Sequence, residues 1–101
     1  MTLSDILPEL RRWLENINLS AQVLTDTDDA LRVFFETESA VAELIAGDGA
    51  YAPYRFVSFA VLDMQEELNA APVFCYYDNE HSTMDDILCG LKQGLRYLEK
   101  A

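Results

Sequence analysis

Residues 54–64 constrain the fold more than any other segment of this 101-residue chain. Their side chains alternate with the period of two that is typical of a β-strand, and both alternating sets are largely apolar. We therefore expect this strand to lie centrally in a sheet, or to be covered on its second face. The two sets are Tyr54, Phe56, Ser58, Ala60, Leu62 and Met64 on one face, and Arg55, Val57, Phe59 and Val61 on the other.

The two ends of the chain carry the period of an amphipathic helix. Apolar residues recur every three or four positions over 4–17 and again over 83–99, which places them on one face of each helix. Ser82 or Thr83 can cap the second helix, with an acid of its first turn reaching back to complete a capping box.

Gly90 and Gly94 lie on one ridge of the predicted C-terminal helix. Each costs about 1 kcal/mol in helix propensity relative to alanine. A close approach of this helix to another element should compensate for that cost, and we favour the sheet over a partner helix.

The remaining segments complete one α+β domain. Residues 20–36 predict a β-hairpin with an Asp/Thr-rich turn, residues 39–46 a short helix, residues 65–71 a loop or a turn of helix, and residues 72–78 a strand. The expected order is α-β-β-α-β-β-α over residues 1–101, with helices packed on one face of a mostly antiparallel sheet of about four strands.

Composition limits the class of protein. No apolar run reaches the roughly 20 residues that a membrane-spanning helix needs. The first residues hold no basic patch before an apolar stretch, so we expect no secretory signal and a cytoplasmic location. In that compartment Cys75 and Cys89 are expected to be reduced and buried.

The net charge of −11, from 18 acids against 7 bases, restricts the partners. Nucleic-acid binding relies on several Lys or Arg contacts to phosphates, and anionic membranes also repel an acidic protein. The charge would attract a basic protein, a peptide or cations, unless it serves solubility alone.

Cys75 and His81 belong to the one cluster of potentially reactive side chains, which also contains Asp78, Glu80 and Cys89. A nucleophilic cysteine needs a nearby base, and Cys75 and His81 flank a strand-to-helix junction. Alternation predicts a buried Cys75, and His81 precedes a helix cap in an exposed turn, so we favour structural roles. A cysteine-based enzyme or redox protein using this pair is the alternative.

Metal binding is a further alternative. Asp26, Asp28 and Asp29 resemble the start of a calcium-binding loop. Whether the loop is counted from Asp26 or from Asp28, the later positions that require glycine and glutamate hold other residues. The single histidine and the cysteine spacing match no zinc motif. We favour a turn for the aspartates and predict no metal or cofactor, with a metal-responsive domain as the third hypothesis.

An aromatic surface rimmed by acids would suit a basic, amphipathic protein ligand, because aromatic residues dominate interface hot spots. The core is the competing location for these aromatics. The residues that we predict to bind a partner are Tyr51, Tyr54, Tyr76, Glu36, Glu66 and Glu67.

The order of elements and the acidity resemble two kinds of small protein over most of the chain, without a shared motif. Secretion chaperones bind extended protein segments as dimers, and toxin-immunity proteins match basic toxins with their acidity. No phosphate-binding loop or nucleophile-elbow pattern is present. We therefore predict a non-enzymatic interaction module with a basic or amphipathic protein partner and, as an option, a homodimeric state.

Overall fold

A computed structural model of the chain describes residues 2–48, 55–63 and 72–100. It confirms the α+β class. In chain order the described elements are α1 (Leu3–Asn16), β1 (Ala21–Asp26), β2 (Leu31–Glu36), β3 (Ala40–Ala46), β4 (Val57–Asp63), β5 (Phe74–Tyr77) and α2 (Met84–Lys100).

The strands form one sheet in the order β1-β2-β3-β4-β5, and every neighbouring pair is antiparallel. The prediction of four strands in the order α-β-β-α-β-β-α is wrong in this detail, since the described chain contains five strands between two helices. Residues 20–36 do form the predicted hairpin, and β4 lies between β3 and β5 as an interior strand. The predicted loop or helical turn over 65–71 lies outside the described residues.

The difference lies in residues 39–46, which form β3 rather than a helix. Ala40, Ala42, Leu44 and Ala46 are buried, and the residues between them are half-buried, so the segment alternates with a period of two. Three of the four buried residues are alanines, which favour helices, and this hid the strand period. Pairing with β2 over 41–46 and with β4 over 40–46 outweighs that local preference.

Both helices pack on one face of the sheet, which we call the helix face. Trp13 of α1 meets Phe35 of β2 edge to face, with ring centroids 6.4 Å apart, and Phe35 meets Phe59 of β4 in the same way at 5.8 Å. The core between the layers is completed by buried leucine, isoleucine, valine and alanine side chains. None of the described helices is long and apolar enough to cross a membrane.

The helix starts follow their local sequences. In α1 the Asp5 carboxylate accepts hydrogen bonds from the backbone N–H and the hydroxyl of Thr2, at 2.8 and 2.9 Å. At α2 the Thr83 N–H donates to Asp86, and the Asp86 N–H donates to the Thr83 hydroxyl, at 2.9 and 3.1 Å. This reciprocal pair is the predicted capping box.

The glycines of α2 let the helix approach the sheet closely. A Cβ atom at Gly90 would lie 2.6 Å from Cγ of Tyr76, and one at Gly94 would lie 2.6 Å from Cδ2 of Phe59. Real Cβ atoms do not approach other atoms so closely, so both positions require glycine in this packing. The predicted approach of helix to sheet is confirmed.

Candidate interaction surface

The opposite side of the sheet carries no helix in the described chain, and we call it the open face. Cross-strand pairing sets its residues in three rows, because directly opposed residues of antiparallel strands point to the same side. The rows are Glu36, Val41 and Leu62; Gln22, Phe34, Glu43, Ala60 and Cys75; and Thr25, Arg32, Ile45, Ser58 and Tyr77.

Apolar side chains dominate the open face. Leu62 and Tyr77 are 39% and 43% exposed, whereas Phe34, Val41 and Ile45 are half-buried. Just before β5, Val73 is also exposed. The sequence predicts that both faces of β4 are largely apolar. On the helix face these side chains lie in the core, and on the open face Leu62 is exposed.

The charges of the open face are partly paired. Arg32 and Glu43 form a salt bridge at 2.8 Å, which leaves these two residues neutral as a pair. Glu36 and Glu38 are exposed and form no ion pair within the described chain. Glu36 lies directly across from Val41, so unpaired negative charge adjoins apolar surface at this end of the sheet.

The predicted partner-binding residues fall in three places. Glu36 is exposed on the open face. Tyr76 is half-buried on the helix face beneath Gly90, so it does not belong to the open face. Tyr51, Tyr54, Glu66 and Glu67 lie outside the described residues, and their role in binding stays a prediction.

Tyr76 also carries an unsatisfied hydroxyl. Its oxygen is buried without a hydrogen-bond partner among the described residues. Burial raises the pKa of Tyr76. The neighbouring Ser82 offsets only part of this rise, and it does not form a hydrogen bond of acceptable geometry with the Tyr76 hydroxyl.

Sequence reasoning missed most of the open face. Val41 and Ile45 were not predicted to belong to this surface. Their segment was assigned to a helix, and a helix would not place them on one sheet face with Phe34 and Leu62. Tyr77 was visible as an alternate residue of β5, but a strand sequence does not show which of its faces the helices cover.

The same ambiguity explains the error about the cysteines. Both thiols are free and exposed, so the prediction that they are buried is wrong. Cys75 shares a side of β5 with Val73 and Tyr77, as expected, but that side is the open face. Cys89 lies on the outer side of α2, where Gln93 donates to its Sγ at 3.7 Å.

Cys75 and His81 form no hydrogen bond with each other, and each has a different neighbour. The Tyr77 hydroxyl donates to Cys75 Sγ at 3.8 Å, and this hydrogen bond is the main reason that the pKa of Tyr77 is raised. His81 is exposed in the turn before α2, as predicted, and its ring faces Glu80 at 3.4 Å.

The acidic turn between β1 and β2 is held by side-chain hydrogen bonds. The Thr27 hydroxyl donates to Asp29 at 2.8 Å, and Asp26 pairs with Arg11 of α1 at the same distance. These contacts agree with a turn. No group of three or more potential metal ligands occurs among residues 2–48, 55–63 and 72–100.

A groove of about 400 Å³ runs between α1 and β1 on the helix face. Its apolar walls include Leu14, Leu19 and Val23, and Glu15 and the Arg11–Asp26 pair lie along its rim. Val23 is 53% exposed, the highest exposure among the large apolar residues that the structure describes.

Comparison with protein-family models, with curated proteins and with solved structures gave no match.

Proposed function

We propose that this chain is a small, acidic, non-enzymatic protein-interaction module that binds a basic or amphipathic protein partner through its open face. The observation that supports this proposal is an apolar sheet surface with no covering element in the described chain. A monomeric protein rarely leaves a large contiguous apolar surface in water, and such surfaces commonly mark interaction sites.

The composition of the open face suits a protein ligand. Phe34 and Tyr77 supply aromatic area, and Tyr77 keeps a polar end, a combination that is enriched in interface hot spots. Val41, Ile45 and Leu62 provide an aliphatic surface between and beside them. A flat surface of this kind fits the apolar side of a helix or a second sheet better than a small molecule, which needs a concave pocket.

Charge favours a basic partner over a second copy of the chain. Two copies would each bring a net charge of −11 to the contact and would repel each other at low ionic strength. A Lys or Arg beside an apolar residue could meet Glu36 while its neighbour packs on Val41. The free thiols of Cys75 and Cys89 suit the reducing cytoplasm, which we propose as the location.

Affinity capture with matched bait variants tests the proposal. Leu62→Lys places a cation in the open face, whereas Tyr97→Lys introduces the same charge at a comparably exposed residue of α2, on the other side of the sheet. At low ionic strength we expect wild-type and Tyr97→Lys baits to retain the same protein, and the Leu62→Lys bait to lose it. The retained protein should elute as salt is raised.

Two results would contradict this function. Equal retention by the two variant baits would show that the open face is not the binding surface. A dimeric molar mass in light scattering that Leu62→Lys reduces to a monomer would show that a second copy covers the face.

A further inference from the structure

The outer edge of β1 is a second surface without a partner among residues 2–48, 55–63 and 72–100. In this part of the chain β1 pairs only with β2 and ends the sheet, so every second residue directs its N–H and C=O away from the sheet. Such an edge is a template for another strand unless charge, proline or a covering element protects it. Along β1 there is no lysine and no proline, and the one charge, on Asp26, is taken by Arg11.

Apolar side chains accompany this free edge. Val23 pairs with Val33 across the sheet, so its side chain lies on the helix face and borders the groove between α1 and β1. Together with Leu14 and Leu19 it forms an apolar recess beside the free backbone. An added strand could therefore place alternate side chains into the recess while its backbone continues the ladder.

The charge of the groove rim indicates the chemistry of that strand. Arg11 is occupied, since it pairs with Asp26 at 2.8 Å and donates to the Thr27 carbonyl at 2.5 Å. Glu15 is exposed and unpaired within the described chain, so the charge left for an incoming group is negative.

A bulge limits the length of the ladder. The pairing with β2 shifts between Val23 and Thr25, which leaves Leu24 as the extra residue and the edge regular only over 21–23. Because so short a ladder forms few backbone hydrogen bonds, the apolar recess must supply part of the affinity for an added strand.

We propose that β1 binds an extended segment of a protein partner as a sixth strand, with an apolar side chain in the groove and a flanking Lys or Arg near Glu15. This surface is distinct from the open face, on the other side of the sheet, so the two proposals can fail separately.

The test uses a short synthetic peptide of alternating lysine and valine with blocked ends. Its control has the same sequence but N-methylated alternate amides, which cannot complete a ladder. Amide NMR spectra of the full-length chain should shift at 21–23 with the first peptide, and exchange of the outward amides there should slow. The N-methylated peptide should cause neither effect.

Two uncharged substitutions then distinguish the contribution of the apolar recess to peptide binding from that of the backbone edge. Val23→Gln removes an apolar wall of the groove, whereas Leu24→Gln changes a neighbour of similar exposure that does not line it. We expect Val23→Gln to weaken peptide binding about fivefold to tenfold and Leu24→Gln less than twofold. Neither change alters the net charge.

The proposal is overturned if the peptide fails to shift 21–23, if the N-methylated control binds equally well, or if both variants bind like the wild type. Shifts confined to Phe34, Ile45 and Tyr77 would also overturn it, while leaving the function proposed for the open face intact.

Discussion

At the scale of single residues, the carboxylate of Asp78 holds the start of β4 through the backbone. One oxygen, Oδ1, accepts the backbone N–H groups of Arg55, Phe56 and Val57 at 3.0, 2.8 and 2.8 Å. Asp78 is only 2% exposed, and among the three hydrogen bonds the one from Val57 is buried and those from Arg55 and Phe56 are part-buried. Three charge-assisted hydrogen bonds to one oxygen fix where the chain enters β4.

Replacing Asp78 with alanine should therefore destabilise the protein strongly. The Asp78→Ala variant leaves the N–H groups of Phe56 and Val57 without their acceptor, whereas the Arg55 N–H keeps the backbone carbonyl of Asp78 at 3.1 Å, and we expect the free energy of unfolding to fall by about 3 kcal/mol. Asp78→Asn keeps one carbonyl oxygen at nearly the same place and should lose clearly less. Urea denaturation followed by circular dichroism measures both, and equal losses in the two variants would contradict a role for the retained oxygen.

The unsatisfied hydroxyl of Tyr76 leads to the opposite prediction. Removing it in Tyr76→Phe relieves a buried polar atom without a partner, so stability at pH 7 should stay equal or rise by up to about 1 kcal/mol. A loss of stability at pH 7 would show that the hydroxyl is satisfied.

The same residue gives the protein a dependence on alkaline pH. Because folding raises the pKa of Tyr76, its neutral form contributes stability that is complete below the unfolded pKa of about 10 and is lost as pH rises through the folded value. Thermal melts between pH 8 and 11 should therefore show a smaller decline for Tyr76→Phe than for the wild type. Tyr77, whose pKa is also raised, is present in both proteins and cancels in the comparison.

At the scale of elements, α2 depends on two glycines for its distance from the sheet. Gly94→Ala would drive a methyl group into Phe59, which is fully buried and packed against Phe35. We expect a net loss of about 2 kcal/mol, since overpacking outweighs the gain in helix propensity. Gly90→Ala should cost less, because its neighbour Tyr76 is half-buried and has more room to move.

Gln93→Ala provides the control for these helix variants. Gln93 is an exposed residue of the same helix, where alanine meets no neighbouring layer, so stability should change by less than about 0.5 kcal/mol. Thermal or urea unfolding of the three variants checks the order Gly94, Gly90, Gln93. Stabilisation by Gly94→Ala would mean that the helix lies further from the sheet.

The elements also show where sequence reasoning works. The periods of α1 and α2, the acidic turn of the first hairpin and the capping box at Thr83 were predicted because each depends on neighbours in the chain. The strand character of β3 depends on pairing with β2 and β4, which no local pattern contains.

The candidate site was harder to predict for the same reason. Alternation places Cys75 and Tyr77 on one face of β5 and Phe74 and Tyr76 on the other. The position of α2 then decides which of these pairs is exposed. Alternation assigns residues to two faces, but the tertiary structure determines which face is covered.

At the scale of the whole molecule, the acidic excess acts on stability as well as on partners. The 18 acids of the chain outnumber its 7 bases, and the resulting net charge of −11 makes the folded state repel itself. Salt screens this repulsion, with a Debye length of about 10 Å at 0.1 M. At pH 7 we therefore expect the melting temperature to rise by several degrees between low salt and about 0.2 M sodium chloride.

Two comparisons make this last prediction specific. Near the isoelectric point of about 4.2 the net charge vanishes, so added salt should raise the melting temperature little or not at all. At pH 7, calcium chloride at the same ionic strength should act like sodium chloride if screening is the cause. A much larger rise with calcium would instead indicate cation binding by the acidic surface, and a fall with sodium chloride would show that attractive ion pairs outweigh the repulsion.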